Sequence, residues 1–234
     1  MGAAIGWGAL AASSLVIGAV LGIVRSWPDR LVGVVLAFGA GALISAVSFD
    51  LAAEGAKLGD RGVTAIGLAI GAFTYFSLDR LVGRKSARGG GSAGTSLALG
   101  AFLDGIPEQL VLGIGIAAGE GVSVGLLVAI FVSNLPEAIG SAADMREAGK
   151  GARQIGRLWI GVAVVCAAAT VVGYGIADTV SGNLHAGVDG FAAGALLVML
   201  IDTMIPEAVK KGGDVSGLVT VLGFAVAAAL SGLS

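Results

Sequence analysis

Charge is what this sequence has least of. Only 13% of its 234 residues are charged, about half the share of an ordinary soluble domain, which excludes a surface built in the usual way to face water. One cysteine, Cys166, excludes an intramolecular disulfide and leaves the redox compartment open. One histidine, His185, lies between two apolar runs, where a solvated outer-loop position is expected. The chain lacks a Ser/His dyad, an H-E-x-x-H pair, a P-loop and any cofactor motif, so no enzymatic activity and no cofactor are expected. The stretch GIGIAAG at 113–119 does not have the G-x-G-x-x-G spacing of a dinucleotide loop and ends an apolar run. A net charge of −2 points to no nucleic-acid partner.

What is present is apolar. Hydrophobic residues make up 56% of the chain and mean hydropathy is +0.94, so the lipid bilayer is the expected surrounding of an integral membrane protein. Eight apolar runs can each cross a hydrocarbon core about 30 Å thick: residues 3–24, 31–52, 62–83, 95–118, 121–143, 157–177, 186–208 and 214–233. None has the alternating polarity of a β-barrel strand. The expected fold is therefore all-α, a single transmembrane domain over 1–234. The first run has no basic segment before it and no small-residue cleavage site after it, so it reads as a retained span.

The basic residues fall on alternating sides of these runs. Arg25 and Arg30 follow the first; Arg80, Arg84, Lys85 and Arg88 the third; Arg146, Lys150, Arg153 and Arg157 the fifth; Lys210 and Lys211 the seventh. Only Lys57 and Arg61 fall on the other side. Basic loops stay cytoplasmic, which predicts both termini outside and an even number of spans. RKSARGGGSAG at 84–94 reads as a short flexible cytoplasmic loop. Short loops and no targeting extension are expected of a multi-pass protein of a prokaryotic inner (plasma) membrane.

Runs two and seven resemble each other. FGAGALISAVSFDLAAEGAKLG from 38 aligns without gaps to FAAGALLVMLIDTMIPEAVKKG from 191, pairing Gly41 with Gly194 and Glu54 with Glu207. Under the predicted topology the two copies run in opposite directions, as in inverted-repeat transporters. Asp50 and Glu54 then lie toward the outer face, and Asp202 and Glu207 toward the inner. Gating roles compete there with simple snorkelling to water. The 41 glycines fit the small residues that let membrane helices approach closely.

Two runs carry a proline beside a glutamate near mid-span, in LDGIPEQLVLG at 103–113 and VSNLPEAIGSA at 132–142. An ionised side chain there costs about 3 kcal/mol on insertion scales, so Asp104, Glu108 and Glu137 are expected to face protein. Asp104 and Glu108 are one turn apart, as are Ser133 and Glu137, and Asn134 shares the face of the latter pair. Pro107 and Pro136 leave the carbonyls of Leu103 and Val132 without their helix donor. Carbonyls freed within a membrane need protein, water or an ion. Carboxylates, carbonyls and an amide together describe a cation site, with Asp104, Glu108, Asn134 and Glu137 as its ligands and Ser133 beside them; protonated, mutually hydrogen-bonded structural carboxyls are the alternative.

These residues resemble the ZIP (Zrt/Irt-like) family of divalent-metal transporters, across nearly the whole chain. SNLPEAIGSA is similar to the family's fifth-span signature, a polar pair before x-Pro-Glu-Gly, and DGIPE stands where the fourth-span His-Asn-x-Pro-Glu is common. The resemblance implies a ZIP-like bundle of eight helices with both termini outside. It implies that Glu108 and Glu137 are metal ligands, with Asn134 joining Glu137 from the fifth span. Asp104 stands at the family's histidine and Gly105 at its asparagine, and residues 157–177 supply no carboxylate, which bears on whether there are one or two metal sites. The resemblance puts zinc first as the transported ion; a site of oxygen ligands without imidazole also suits Fe²⁺ or Mn²⁺.

The expected function is a carrier that brings a divalent metal ion into the cytoplasm, entering near Asp50 and leaving past Asp202 and Glu207. A non-transporting metal sensor or accessory protein, a carrier of another solute, and a homodimeric assembly stay open. An intramembrane acid/base enzyme using Asp104 and Glu108 has no supporting motif.

Overall fold

Hydrocarbon offers the backbone no hydrogen-bond partners, so a chain this apolar must satisfy its amides within helices. All described regular structure is helical. The computed structural model describes the backbone of residues 1–53, 57, 59–88, 93–117, 124–179 and 182–231, and the side chains of the same residues except 50, 82–88, 93–104 and 178–179. The helices are α1 (Gly2–Val24), α2 (Asp29–Ala46), α3 (Arg61–Arg88), α4 (Ala93–Ala117), α5 (Val124–Glu147), α6 (Ala152–Thr179), α7 (Asn183–Met199) and α8 (Ser216–Ser231).

Among the described residues six runs are long and apolar enough to cross a membrane: Gly2–Val24, Asp29–Ala53, Arg61–Leu81, Val124–Glu147, Ala152–Ala177 and Asn183–Ser231. The sequence reading gives eight, and the difference lies in two stretches. Asn183–Ser231 is one helical stretch of 49 residues, but Gly213 takes φ +72 and turns the chain before α8. α4 contributes only the shorter apolar segment Gly105–Ala117, because the side chains before Gly105 lie outside the described residues.

The repeat seen in the sequence has a structural counterpart. α2 widens into a π-helix at Val47–Ala53, and α7 widens into one at Leu200–Met204 before continuing as a short helix, Ile205–Gly212. In the gapless alignment Val47 and Leu200 are equivalent positions. Two helices that change hydrogen-bond register at the same aligned residue are far less easily explained by shared alanine and glycine than sequence identity alone.

Helix pairing follows the same symmetry. α2 packs against α8, where a Cβ on Gly41 would overlap the Thr220 carbonyl and one on Gly223 the Phe38 carbonyl. α7 packs against α3, where Gly194 meets the Leu68 carbonyl and Gly71 that of Phe191. α1 packs against α5, and α6 against α4. Exchanging α1 with α6, α2 with α7, α3 with α8 and α4 with α5 converts each of these pairs into another. α4 and α5 also touch directly, so their contact lies at the centre of this exchange.

α5 is buttressed on both sides. Leu126 and Ile130 join one core with Leu36, Leu43, Leu196 and Met199; Ala138, Ala142 and Met145 join a second with Leu15, Ile155 and Trp159. Two long-range hydrogen bonds tie helix ends together. In one, the Arg146 guanidinium donates to the Ile23 carbonyl (3.0 Å); in the other, the Asp60 amide donates to Asn183 Oδ1 (2.8 Å).

Because Gly41 lets α8 approach within backbone contact, Gly41→Val should lower stability by at least about 1–3 kcal/mol, the usual range for overpacking. A fall in thermal midpoint and loss of a monodisperse peak in detergent would record it, while the same change at Gly217, where a Cβ would meet nothing, should be nearly silent.

Candidate functional site

Pro107 and Pro136 both lie inside helices, α4 and α5. Each removes one ladder hydrogen bond at mid-helix, next to the glutamate that follows it. Glu108 is only 1% exposed. Its two oxygens are answered by consecutive residues of α5: Asn134 Nδ2 donates to Oε2 at 2.9 Å, and Ser133 Oγ lies 3.1 Å from Oε1. Ser133 and Asn134 are each 1% exposed. A carboxylate with no route to bulk water is thus held across the α4–α5 contact by an amide and a hydroxyl.

The two donors are not equivalent. Ser133 Oγ is also 3.0 Å from the Ile130 carbonyl, and a hydroxyl has one proton to give. Its bond to Glu108 competes with a helix carbonyl. Asn134 aims an N–H at the carboxylate at the shorter distance of 2.9 Å, so it is the firmer partner.

Glu137 follows Ser133 by one turn on α5 and therefore shares that face. The residue is half-buried and its Oε2 atom is fully buried. Asp104 lies one turn before Glu108 on α4, and its side chain falls outside the described residues. Among the described residues no three His, Cys, Asp or Glu side chains come together as a metal-binding group. Within the expected site, hydrogen bonds join Glu108 to Ser133 and Asn134.

The path residues lie elsewhere. Asp50 falls on the π-helix of α2 with its side chain outside the described residues, and Glu54 is outside them altogether. Asp202 is exposed on the π-helix that follows α7. Glu207 lies a little further on and pairs with Lys211, Oε1 to Nζ 2.6 Å.

Three features escape the sequence reading. His185 is not a solvated loop residue: it sits in the first turn of α7, 13% exposed, with Nε2 3.8 Å from the buried Asp189 Oδ1. The helix begins earlier than the apolar run and draws the imidazole inward. Gln109 and Thr170, both fully buried, join α4 to α6 through Thr170 Oγ1 donating to Gln109 Oε1 at 2.5 Å. Their signal was a polar residue in each of two apolar runs. Cys166 is buried against Gly105, where a Cβ would stand 2.7 Å from Sγ, so α6 also packs closely beside the start of this segment.

No family model matches the chain, and no curated protein matches it at a significant level.

Removing the donors should separate their strengths. Asn134→Ala removes the amide donor to Glu108 and should cost about 1–3 kcal/mol, whereas Ser133→Ala should cost less because Ser133 divides its proton between two acceptors. Thermal unfolding of both variants in the same detergent measures the order.

Proposed function

We propose that the chain is an eight-span carrier of the ZIP-like kind that moves a divalent metal ion into the cytoplasm, with zinc the first expectation and Fe²⁺ or Mn²⁺ also served by its oxygen-rich chemistry. One observation carries this reading: a buried glutamate held across two proline-interrupted helices by a serine and an asparagine, inside an apolar bundle. Intramembrane carboxylates at protein-facing positions are commonly parts of ion pathways.

Eight crossings are supported by the turn at Gly213 and by where the ends fall. Gly125, near the start of α5, lies against Ser231 at the end of α8, while the end of α5 lies beside Lys211. The inversion of α2 against α7, with matching π-helices, supports an inverted repeat whose centre is the α4–α5 contact.

Glu108 supplies the anionic ligand and is kept in place by Asn134 while no ion is bound. Glu137 and Asp104 lie one turn away along α5 and α4 respectively and extend the oxygen-rich face. The carbonyls of Leu103 and Val132, deprived of donors by the two prolines, are further oxygen ligands in the same layer. An apolar cavity of about 640 Å³ lies between the α3–α7 pair and the α4–α6 pair, bordered by Ile66, Phe191, Pro107 and Gly173. The helix carrying Glu108, with α6 beside it, therefore has room to shift against α3 and α7.

Uptake of Zn²⁺, Fe²⁺ and Mn²⁺ into proteoliposomes tests the reading. Saturable flux in the wild type, reduced by at least about tenfold in Glu108→Gln, a loss of about 1.4 kcal/mol of ion stabilisation, is the expected outcome. Binding without flux would instead make the protein a metal sensor. Flux untouched by Glu108→Gln would remove the site.

A further inference from the structure

The basic side of the bundle holds a cavity of about 410 Å³, lined by Asp29 of α2, Asp144 and Glu147 of α5, and Lys210 and Lys211 beyond α7. Asp144 lies within electrostatic reach of Lys211, Glu147, Glu207 and Asp29. Three carboxyl groups from two helices therefore share one opening with the ammonium groups of Lys210 and Lys211, and a fourth, Glu207, stands within electrostatic reach.

The Lys211 ammonium is held in place. Lys211 Nζ is 2.6 Å from Glu207 Oε1, and the two side chains are 20% and 27% exposed. Nζ also lies over Gly140: a Cβ there would stand 3.2 Å from it. Gly140 follows Glu137 by three residues on the same face of α5, so the bare backbone at 140 makes the space that the lysine head fills, one turn beyond the last ligand of the candidate site. Arg146, the other cation of this end of α5, is turned to the Ile23 carbonyl instead.

We infer that Lys211 is a tethered counter-cation that closes the inner mouth of the ion path: its ammonium occupies the acidic chamber below Glu137, and a metal ion leaves only when Lys211 swings aside. This rests on the carrier reading above and adds its regulation. The chemistry is simple competition. A flexible four-carbon stem with a compact unit charge can be displaced by a divalent ion and then returns, neutralising the chamber and opposing re-entry of cytoplasmic cations. An ordinary i,i+4 pair on a helix surface contributes only a few tenths of a kcal/mol and requires neither the glycine beneath it nor the three further carboxylates around it.

The two members of the ion pair then predict opposite effects, which a merely structural pair would not give. Lys211→Met keeps the length of the side chain and removes its charge; Glu207→Gln keeps Lys211 and frees it to bind the remaining carboxylates. Mn²⁺ binding to purified protein in detergent is measured by the loss of the free-ion paramagnetic resonance signal, in a Glu108→Gln background so that the central site is silent. Lys211→Met should tighten binding roughly fivefold, as expected for removal of one nearby unit charge at a wetted site, and Glu207→Gln should leave it unchanged or weaken it. In proteoliposomes with Glu108 intact, Lys211→Met should raise the Zn²⁺ uptake rate and Glu207→Gln should not. No tightening in Lys211→Met, or the same direction of change in both variants, would overturn the inference. Tightening by Lys211→Met in a protein whose wild type carries no ion would leave the charged mouth standing and remove the carrier reading instead.

Discussion

A carboxylate that water does not reach must be answered by donors from the protein, and the α4–α5 contact is organised around that requirement. Glu108 has one oxygen facing Asn134 and the other facing Ser133. Both donors come from consecutive positions on α5, so α5 must present one narrow face to α4 at one height. A shift by a single residue would turn that face away by about 100°. The two cores that grip α5, one through Ile130 and the other through Ala138 and Met145, hold it against such a slip.

Small residues make the remaining contacts possible. In lipid the hydrophobic effect does not drive helices together, so dispersion between closely approaching backbones must carry much of the association. The pairs α2–α8 and α3–α7 use glycine against carbonyl on both sides of each contact. These pairs form the frame around α4 and α5, and they correspond to one another under the same exchange that relates α4 to α5. The π-helices at Val47 and Leu200 fit that frame. An added residue in a helical turn leaves local carbonyls less tightly committed, and the two widened turns begin at equivalent positions of the two aligned segments.

Much of the centre was legible in the sequence because lipid makes polar residues conspicuous. Pro107, Glu108, Asn134 and Pro136 are exceptions within apolar runs, and a spacing of one turn suffices to place Ser133 with Glu137. Which donor meets which oxygen was not legible, since it depends on the relative height of two helices 25 residues apart in sequence. The matching π-helices were invisible because a π turn has no composition that separates it from an α turn. His185 was misplaced for a related reason: α7 starts at Asn183, before the run becomes continuously apolar. Lys211 was read only as one of many basic loop residues, since the charge bias that orients a membrane protein says nothing of where a single ammonium rests.

The position of Lys211 shows how one residue can meet two requirements of a membrane protein. A basic group at a helix end biases how a membrane chain is oriented, and it also complements the carbonyl end of the helix Ile205–Gly212. Neither role demands that the side chain lie over α5. Gly140 gives that posture room, because a Cβ at 140 would stand 3.2 Å from the lysine head. The acids around it make the posture favourable: Asp29, Asp144 and Glu147 line the same cavity, and Glu207 pairs with the ammonium. A protein that needed only orientation could have left the mouth without carboxylates. One that needed only attraction for cations could have left it without Lys211. The combination sets three carboxyls and a held ammonium around one cavity.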